Sequence, residues 1–143
     1  MKSAFGFSAY GKSLQVDAAL GVISLVPTLV TRDGERKGPH PAHGIYAGSS
    51  LQFSLGEGRE IPFIEQQNIA IAFMHQHREQ LRALSAFPGV ESLSLGLHYR
   101  RSVASNVVMF SIDLLPRLMW HVLDCGCSLS EFVELDRVEA GVA

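Results

Sequence analysis

The hydrophobic and polar positions change period in the middle of the chain, and the change predicts a helix followed by strands. In residues 63–87, apolar side chains recur at every third or fourth position, as at Ala70, Met74 and Leu81, which is typical of an amphipathic helix. Pro88-Gly89 stops this helix and starts a turn. Residues 91–101 then alternate strictly, which predicts a strand with one buried and one solvated face.

A second segment, residues 106–112, follows closely and is apolar on both of the faces that a strand would present. Such a run predicts a strand covered on both faces. Because the connection between the two segments is short, we expect them to form a β-hairpin.

The remaining pattern completes an α+β architecture. Residues 3–10 and 51–55 alternate as strands, residues 14–20 form a short helix capped by Ser13 and ended by Gly21, and residues 128–135 form a closing strand. A further helix covers residues 113–126, with Asp113 as its N-cap. We expect a single domain over residues 1–143, with a mainly antiparallel sheet, about three helices packed on one face and a frayed tail at 136–143.

Composition and charge exclude several classes of protein. The net charge of −2 gives no electrostatic footprint for nucleic acid or anionic lipid. No apolar stretch is long enough to span a bilayer, and no secretory signal precedes the first strand. Two cysteines are too few for a disulfide framework. We therefore expect a cytoplasmic protein.

No motif in the sequence indicates catalysis, a cofactor or a metal. No nucleophile elbow, phosphate loop, dinucleotide fingerprint or zinc-protease helix occurs. His40 and His43 with Cys125 and Cys127 are the nearest approach to a zinc site, but paired zinc ligands are normally separated by about two to four residues. We expect buried or solvated side chains here rather than a metal site.

Trp120 is the sharpest candidate for a binding residue. It lies opposite the apolar stripe of its predicted helix, with Arg117 and Leu123 close by in the chain. An exposed tryptophan beside an arginine is a common anchor of protein interfaces. The alternative is that another helix or the long loop covers the indole.

Two further groups of residues are candidates for binding. The glycine-rich loop at residues 31–48 carries the basic residues Arg36 and Lys37, which either contact an acidic partner or are simply solvated. The solvated face of the sheet has a floor of small residues and a polar rim, and either forms a shallow ligand pocket or is open to water. Its floor is Gly6, Ser8, Ser94 and Gly96, and its rim is Tyr10, His98 and Arg100.

Two segments carry a family resemblance. They are the N-terminal run in which Leu20-Gly21 is followed by Pro27-Thr28 and RDGERKG, and the C-terminal run SIDLLPRLMWHVLDCGCSLS. Together they resemble a family of small bacterial proteins known as a domain of unknown function, numbered 4279 among such families. The resemblance implies no catalytic residues. It implies an immunity-type role, the neutralisation of a toxin, by analogy with relatives that lie beside toxin genes.

These observations favour a non-catalytic bacterial binding protein, which neutralises a toxin or pairs with itself. The alternative is a small-molecule-binding protein or small hydrolase that uses the open sheet face, with His98 as its acid or base. No cofactor, nucleic acid or membrane is expected as a partner.

Overall fold

The computed structural model describes residues 4–107 and 109–139, and its centre is a five-stranded sheet in the order β2-β3-β1-β4-β5. β1 pairs antiparallel with β3 and β4, β2 pairs antiparallel with β3, and β4 pairs parallel with β5. A short 3-10 turn lies at Pro41–His43. The other elements are β1 (Ala4–Gly11), α1 (Val16–Leu20), β2 (Leu29–Thr31), β3 (Ser49–Glu57), α2 (Phe63–Gln76), α3 (Arg78–Ser85), β4 (Ser92–Ala104), α4 (Pro116–Asp124) and β5 (Ser128–Val138).

The core lies between one face of the sheet and the helices. Alternation places Phe5, Phe7 and Ala9 of β1 on this face, and all three are buried. The apolar stripes of the helices pack against them, which is the hydrophobic burial that holds the two layers together. The helical contribution consists of Val16, Ala19, Ala70, Ile71, Met74, Leu81, Leu84, Leu118 and Val122. The prediction of an α+β fold with a mainly antiparallel sheet is confirmed.

The described residues form four α-helices rather than three, because the long predicted helix breaks at His77. His77 has φ −113° and ψ 24°, outside the helical range, and its ring packs on Phe73 with centroids 4.6 Å apart. Met74 and Leu81 are seven residues apart, about two helical turns, so both remain in the core. The hydrophobic period is therefore the same for a continuous and a broken helix.

The predicted hairpin is wrong. β4 extends to Ala104, and residues 109–115 form no strand. The neighbour of β4 on that side is β5, which runs parallel to it. Phe110 instead stacks on Tyr99 with centroids 6.2 Å apart, so an apolar residue of this segment covers β4 without joining the sheet. Val108, which belongs to the predicted strand, lies outside the described residues.

Several element ends also differ from the prediction, and α1 begins at Val16 with Gln15, rather than Ser13, at its N-cap position. α4 begins at Pro116 after Leu115, since the backbone of Asp113 and Leu115 is held in an extended connection by the side chain of Gln67. β5 continues to Val138, so Asp136–Val138 belong to the sheet rather than to a frayed tail. Residues 140–143 lie outside the described residues. Within the described ranges, no helix is both long and apolar enough to cross a membrane.

Candidate functional site

A depression of about 600 Å³ opens on the helix layer where the α2–α3 junction faces α4. We call it the helix-layer surface. It is lined by Ser24, His75, Gln76, His77, Arg78, Glu79, Gln80, Trp120 and His121. The break at His77 contributes to it, because the junction residues between the two helices form one of its sides.

Trp120 is 60% exposed at this surface, and Leu123 on the same helix is 75% exposed. The alternative in which another element covers the indole is therefore wrong. The indole stands edge-to-face against the ring of His121, with centroids 4.8 Å apart. Arg117 is also exposed and lies about one helical turn before Trp120. The structure thus brings the predicted trio together on the outer side of α4.

His121 forms the inner wall of the helix-layer surface. It is buried, and its Nδ1 has no hydrogen-bond partner among the described residues. Burial lowers the pKa of His121 below its usual value, and the charges of His75 and Arg117 lower it further. The ring is therefore neutral at pH 7. The His75 ring meets it edge-on, with centroids 6.2 Å apart.

An ion pair connects α3 to α4 beside this surface. The Arg78 guanidinium contacts both carboxylate oxygens of Asp124, with Nε–Oδ2 at 2.5 Å and Nη2–Oδ1 at 3.1 Å. Only the Nη2–Oδ1 contact has the geometry of a hydrogen bond. The ion pair ties α3 to α4 beside the helix-layer surface.

The predicted small-residue floor of the open sheet face is also assembled. Gly6, Ser8, Ser94 and Gly96 line one depression of about 570 Å³. Its other side is formed by β2 and β3, including Leu29 and Gln52. Gly6 is required here because a Cβ at this position would lie 2.1 Å from the carbonyl oxygen of Phe53. We call this depression the sheet-face trough.

The predicted rim does not surround that floor. Tyr10 donates a hydrogen bond to the carbonyl oxygen of Ala47 at 2.7 Å and packs against Gly48, so it holds the 31–48 loop. His98 is only 2% exposed, and its Nε2 lies 3.0 Å from Oε2 of Glu134. The expectation of an accessible His98 at the rim is wrong, because the parallel neighbour β5 places Glu134 and Phe132 against it.

Arg100 is exposed but is paired with Asp136 of β5, with Nε–Oδ2 at 2.9 Å. Together with His98, it lines a separate depression of about 250 Å³ next to residues 58–63. The acid or base proposed for a hydrolase therefore belongs to a different depression from the small-residue floor.

The 31–48 loop is organised by its own backbone hydrogen bonds. Arg36 and Ile45 form an isolated bridge, and Nζ of Lys37 lies 5.8 Å from the centre of the Tyr46 ring. Arg36 and Lys37 are exposed, and neither lines the helix-layer surface or the sheet-face trough. The basic pair is thus a feature of the loop alone.

The histidines and cysteines of the imagined zinc site have other surroundings. Nδ1 of His40 accepts the Ala42 N–H, and Nδ1 of His43 accepts the His40 N–H, so both rings cap the 3-10 turn. Cys125 is buried, and burial together with the Cys125 thiol raises the pKa of Cys127 to about 12. Within the described ranges, no group of three or more His, Cys, Asp or Glu side chains is arranged to hold a metal ion.

Two buried glutamines organise the site, and sequence reasoning missed both. The carboxamide of Gln66 bonds the backbone of β4 at His98, and that of Gln67 bonds the backbone before α4 at Asp113 and Leu115. They are adjacent in α2 and fully buried. The signal available in the sequence is that both occupy a helix position near the apolar stripe, where a polar residue needs a partner.

Comparison with known proteins adds no relative. No family model matches the chain, and no curated protein or solved structure matches it.

Proposed function

We propose that this chain is a non-catalytic binding protein that engages another protein through the helix-layer surface. The observation that carries the proposal is the 60% exposure of Trp120 at the edge of the depression between the α2–α3 junction and α4. The resemblance to the bacterial family suggests the kind of partner, a toxin that the protein neutralises.

The chemistry of the helix-layer surface supports protein recognition. Tryptophan and arginine are enriched among interface residues that carry most of the binding free energy, and a central aromatic anchor usually fills a pocket on the partner. Here Trp120 and Leu123 project from α4, with the exposed Arg117 beside them. Large apolar side chains that are exposed to solvent close together commonly mark an interaction surface.

The positions of the other candidates support binding rather than hydrolysis. A general base needs to be within hydrogen-bond reach of the reacting group, and His98 is buried against Glu134 outside the sheet-face trough. The neutral His121 is likewise packed behind Trp120.

The test is the affinity of the protein for the product of the gene next to its own, measured by calorimetry. Trp120→Ala is expected to weaken binding by about 30-fold or more, the effect of removing an interface anchor worth about 2 kcal/mol. Ile45→Ala is the matched control, because Ile45 is equally exposed at 60% but lies in the 31–48 loop.

Urea unfolding of the same variants separates binding from packing. Because the indole is largely exposed, Trp120→Ala is expected to lower the free energy of unfolding by less than about 1 kcal/mol, against about 3–5 kcal/mol for a core tryptophan. Equal losses of affinity in Trp120→Ala and Ile45→Ala, or a core-sized loss of stability in Trp120→Ala, would contradict the proposal.

The sheet-face trough supports a second candidate function, the binding of a small molecule. Its volume of about 570 Å³ is in the range of ligand pockets, and its wall combines apolar Leu29 with polar Gln52 and the serines of β1 and β4. A ligand found by thermal shift is expected to lose its effect in Ser94→Trp, which fills the trough, and to keep it in Trp120→Ala. The opposite pattern would place the ligand at the helix-layer surface.

A further inference from the structure

The outer edge of β5 is a long unpaired strand edge. In the part of the chain that the structure describes, β4 is the only strand that pairs with β5, over a continuous register from Ser128 to Val138 without a bulge. The strand contains no proline and no glycine. Proteins normally protect such an edge with a bulge, a proline, an outward charge or a covering element.

The hydrogen bonds of β4 show which groups of β5 point outward. The N–H and C=O of His98 face away from β5, since both bond Gln66. The neighbours of His98 along β4 therefore direct their backbone groups towards β5. In a parallel pair with this register, they bond the even-numbered residues of β5. The Val138 carbonyl, which accepts from the Ser105 N–H, agrees with this assignment. The outward N–H and C=O groups are those of Leu129, Glu131, Val133, Leu135 and Arg137.

Two acidic side chains of β5 are directed towards β4 rather than outward. Glu134 lies 3.0 Å from His98 and 3.8 Å from Arg59, and Asp136 lies 2.9 Å from Arg100. Their negative charge is therefore offset within the chain. Meanwhile Phe132 and Val133 are 52% and 38% exposed. The other two charged residues of β5, Glu131 and Arg137, are of opposite sign, so a strand of matching charge can offset both.

We propose that the edge of β5 pairs antiparallel with β5 of a second copy of this chain, about a two-fold axis at Glu134. In this register, Glu131 lies opposite Arg137 of the second copy, and Val133 lies opposite Leu135 of the second copy, each pair occurring twice. Opposite charges and apolar residues directly across an antiparallel pair stabilise it. The two five-stranded sheets join into one continuous sheet.

The second copy is favoured over an unrelated strand by this self-complementarity. An isologous interface requires that one segment be complementary to its own reverse. Here acidic Glu131 lies opposite basic Arg137, and apolar Val133 lies opposite apolar Leu135. The two Glu134 side chains meet at the axis, where Arg59 of each chain, 3.8 Å from its Glu134, offsets part of their repulsion. The proposal is independent of the helix-layer surface, because no residue that lines that surface belongs to β5.

Sedimentation equilibrium over a range of concentrations tests the pairing. The wild-type chain is expected to form a dimer. Glu131→Arg and Arg137→Glu each place like charges opposite one another twice, so each alone is expected to dimerise at least about tenfold more weakly. An equimolar mixture restores both opposite-charge pairs and is expected to form a heterodimer with wild-type affinity.

A backbone variant keeps the test independent of Arg137, whose guanidinium also bonds the Ser105 and Val107 carbonyls. Val133→Pro removes an outward N–H without removing a bond to β4, so it is expected to abolish the dimer and keep the circular dichroism spectrum of the fold. Val133→Thr retains the N–H and is expected to dimerise. A monomeric wild type into the millimolar range, a mixture that stays monomeric, or a Val133→Pro dimer of unchanged affinity would each overturn the proposal.

Discussion

At the residue scale, Gln66 supplies the hydrogen bonds that a neighbouring strand supplies elsewhere in the sheet. β1 pairs with β4 only as far as Gly96, so the backbone of His98 lies beyond the end of that pairing. The Oε1 atom of Gln66 accepts the His98 N–H at 2.8 Å, and its Nε2 donates to the His98 carbonyl at 2.7 Å. Nε2 also lies 2.8 Å from the Gly58 and Ile61 carbonyls, so one side chain connects α2, β4 and the turn before α2.

Replacing Gln66 by leucine is therefore expected to be costly although the volume is similar. The change leaves buried backbone groups of His98 and the 58–61 turn unpaired, at about 1–3 kcal/mol for each. We expect Gln66→Leu to lower the urea midpoint correspondingly. Gln76→Leu, at an exposed position of the same helix, is expected to change the free energy of unfolding by less than about 0.5 kcal/mol. Similar midpoints for the two variants would rule out this role of Gln66.

His121 makes the stability of the fold depend on pH. Burial, followed by the charges of His75 and Arg117, lowers its pKa in the folded state below the value of about 6.5 in the unfolded chain. Between these two values the unfolded chain binds more protons. The free energy of unfolding is therefore at its full value above pH ~6.5 and falls as the pH drops below it.

The check is urea unfolding of the wild type and His121→Gln at a series of pH values from neutral to about 5. His121→Gln has no ionisable group at this position and is expected to lose part of the decline in stability below pH ~6.5. His43→Gln, in the exposed loop, is the control and should retain the decline. If His121→Gln declines as steeply as the wild type, another group causes the pH dependence.

At the scale of elements, the sequence predicted those whose side chains alternate between core and solvent. β1 and the first half of β4 carry buried phenylalanines and leucines on one face and small or polar residues on the other, so period alone identifies them. The apolar run at 106–112 lacked such a contrast. A run of this kind is equally compatible with a buried strand and with an irregular segment that covers its neighbour, as Phe110 covers Tyr99.

The hydrophobic pattern could not identify the strand that pairs with β4. Period 2 indicates that a strand exists but not which strand lies beside it, and β5 returns to β4 through α4 as a parallel neighbour. For the same reason the predicted surroundings of His98 were wrong, since Glu134 and Phe132 contact it as a result of that pairing. The position of Trp120 opposite the apolar stripe depends on the period of a single helix, but that period left open whether another element covers the indole, which is 60% exposed.

At the scale of the whole molecule, the sheet consists of a well-covered part and a two-stranded extension. The covered part includes β1, whose neighbours pair with it on both sides. Beyond Gly96, β4 no longer pairs with β1, and among the described strands residues 99–104 pair only with residues 133–138 of β5. Arg100, Arg101 and Ser102 are exposed there. Parallel pairs normally have both faces covered, so this extension is the least supported part of the sheet.

We therefore expect the extension to open before the rest of the sheet does. Local opening free energies are lowest where few apolar contacts are buried and backbone hydrogen bonds are near solvent. In hydrogen-exchange mass spectrometry at a concentration that keeps the chain monomeric, peptides covering 99–104 and 133–138 should exchange faster than a peptide covering Leu93–Gly96 of the same strand β4. Uniform protection along β4 would show that the extension unfolds only with the whole sheet. Strand addition gives the outward amides of β5 new hydrogen-bond acceptors. Raising the protein concentration should therefore slow exchange in residues 133–138 more than in residues 99–104. This difference connects the stability of the extension to the pairing of two copies.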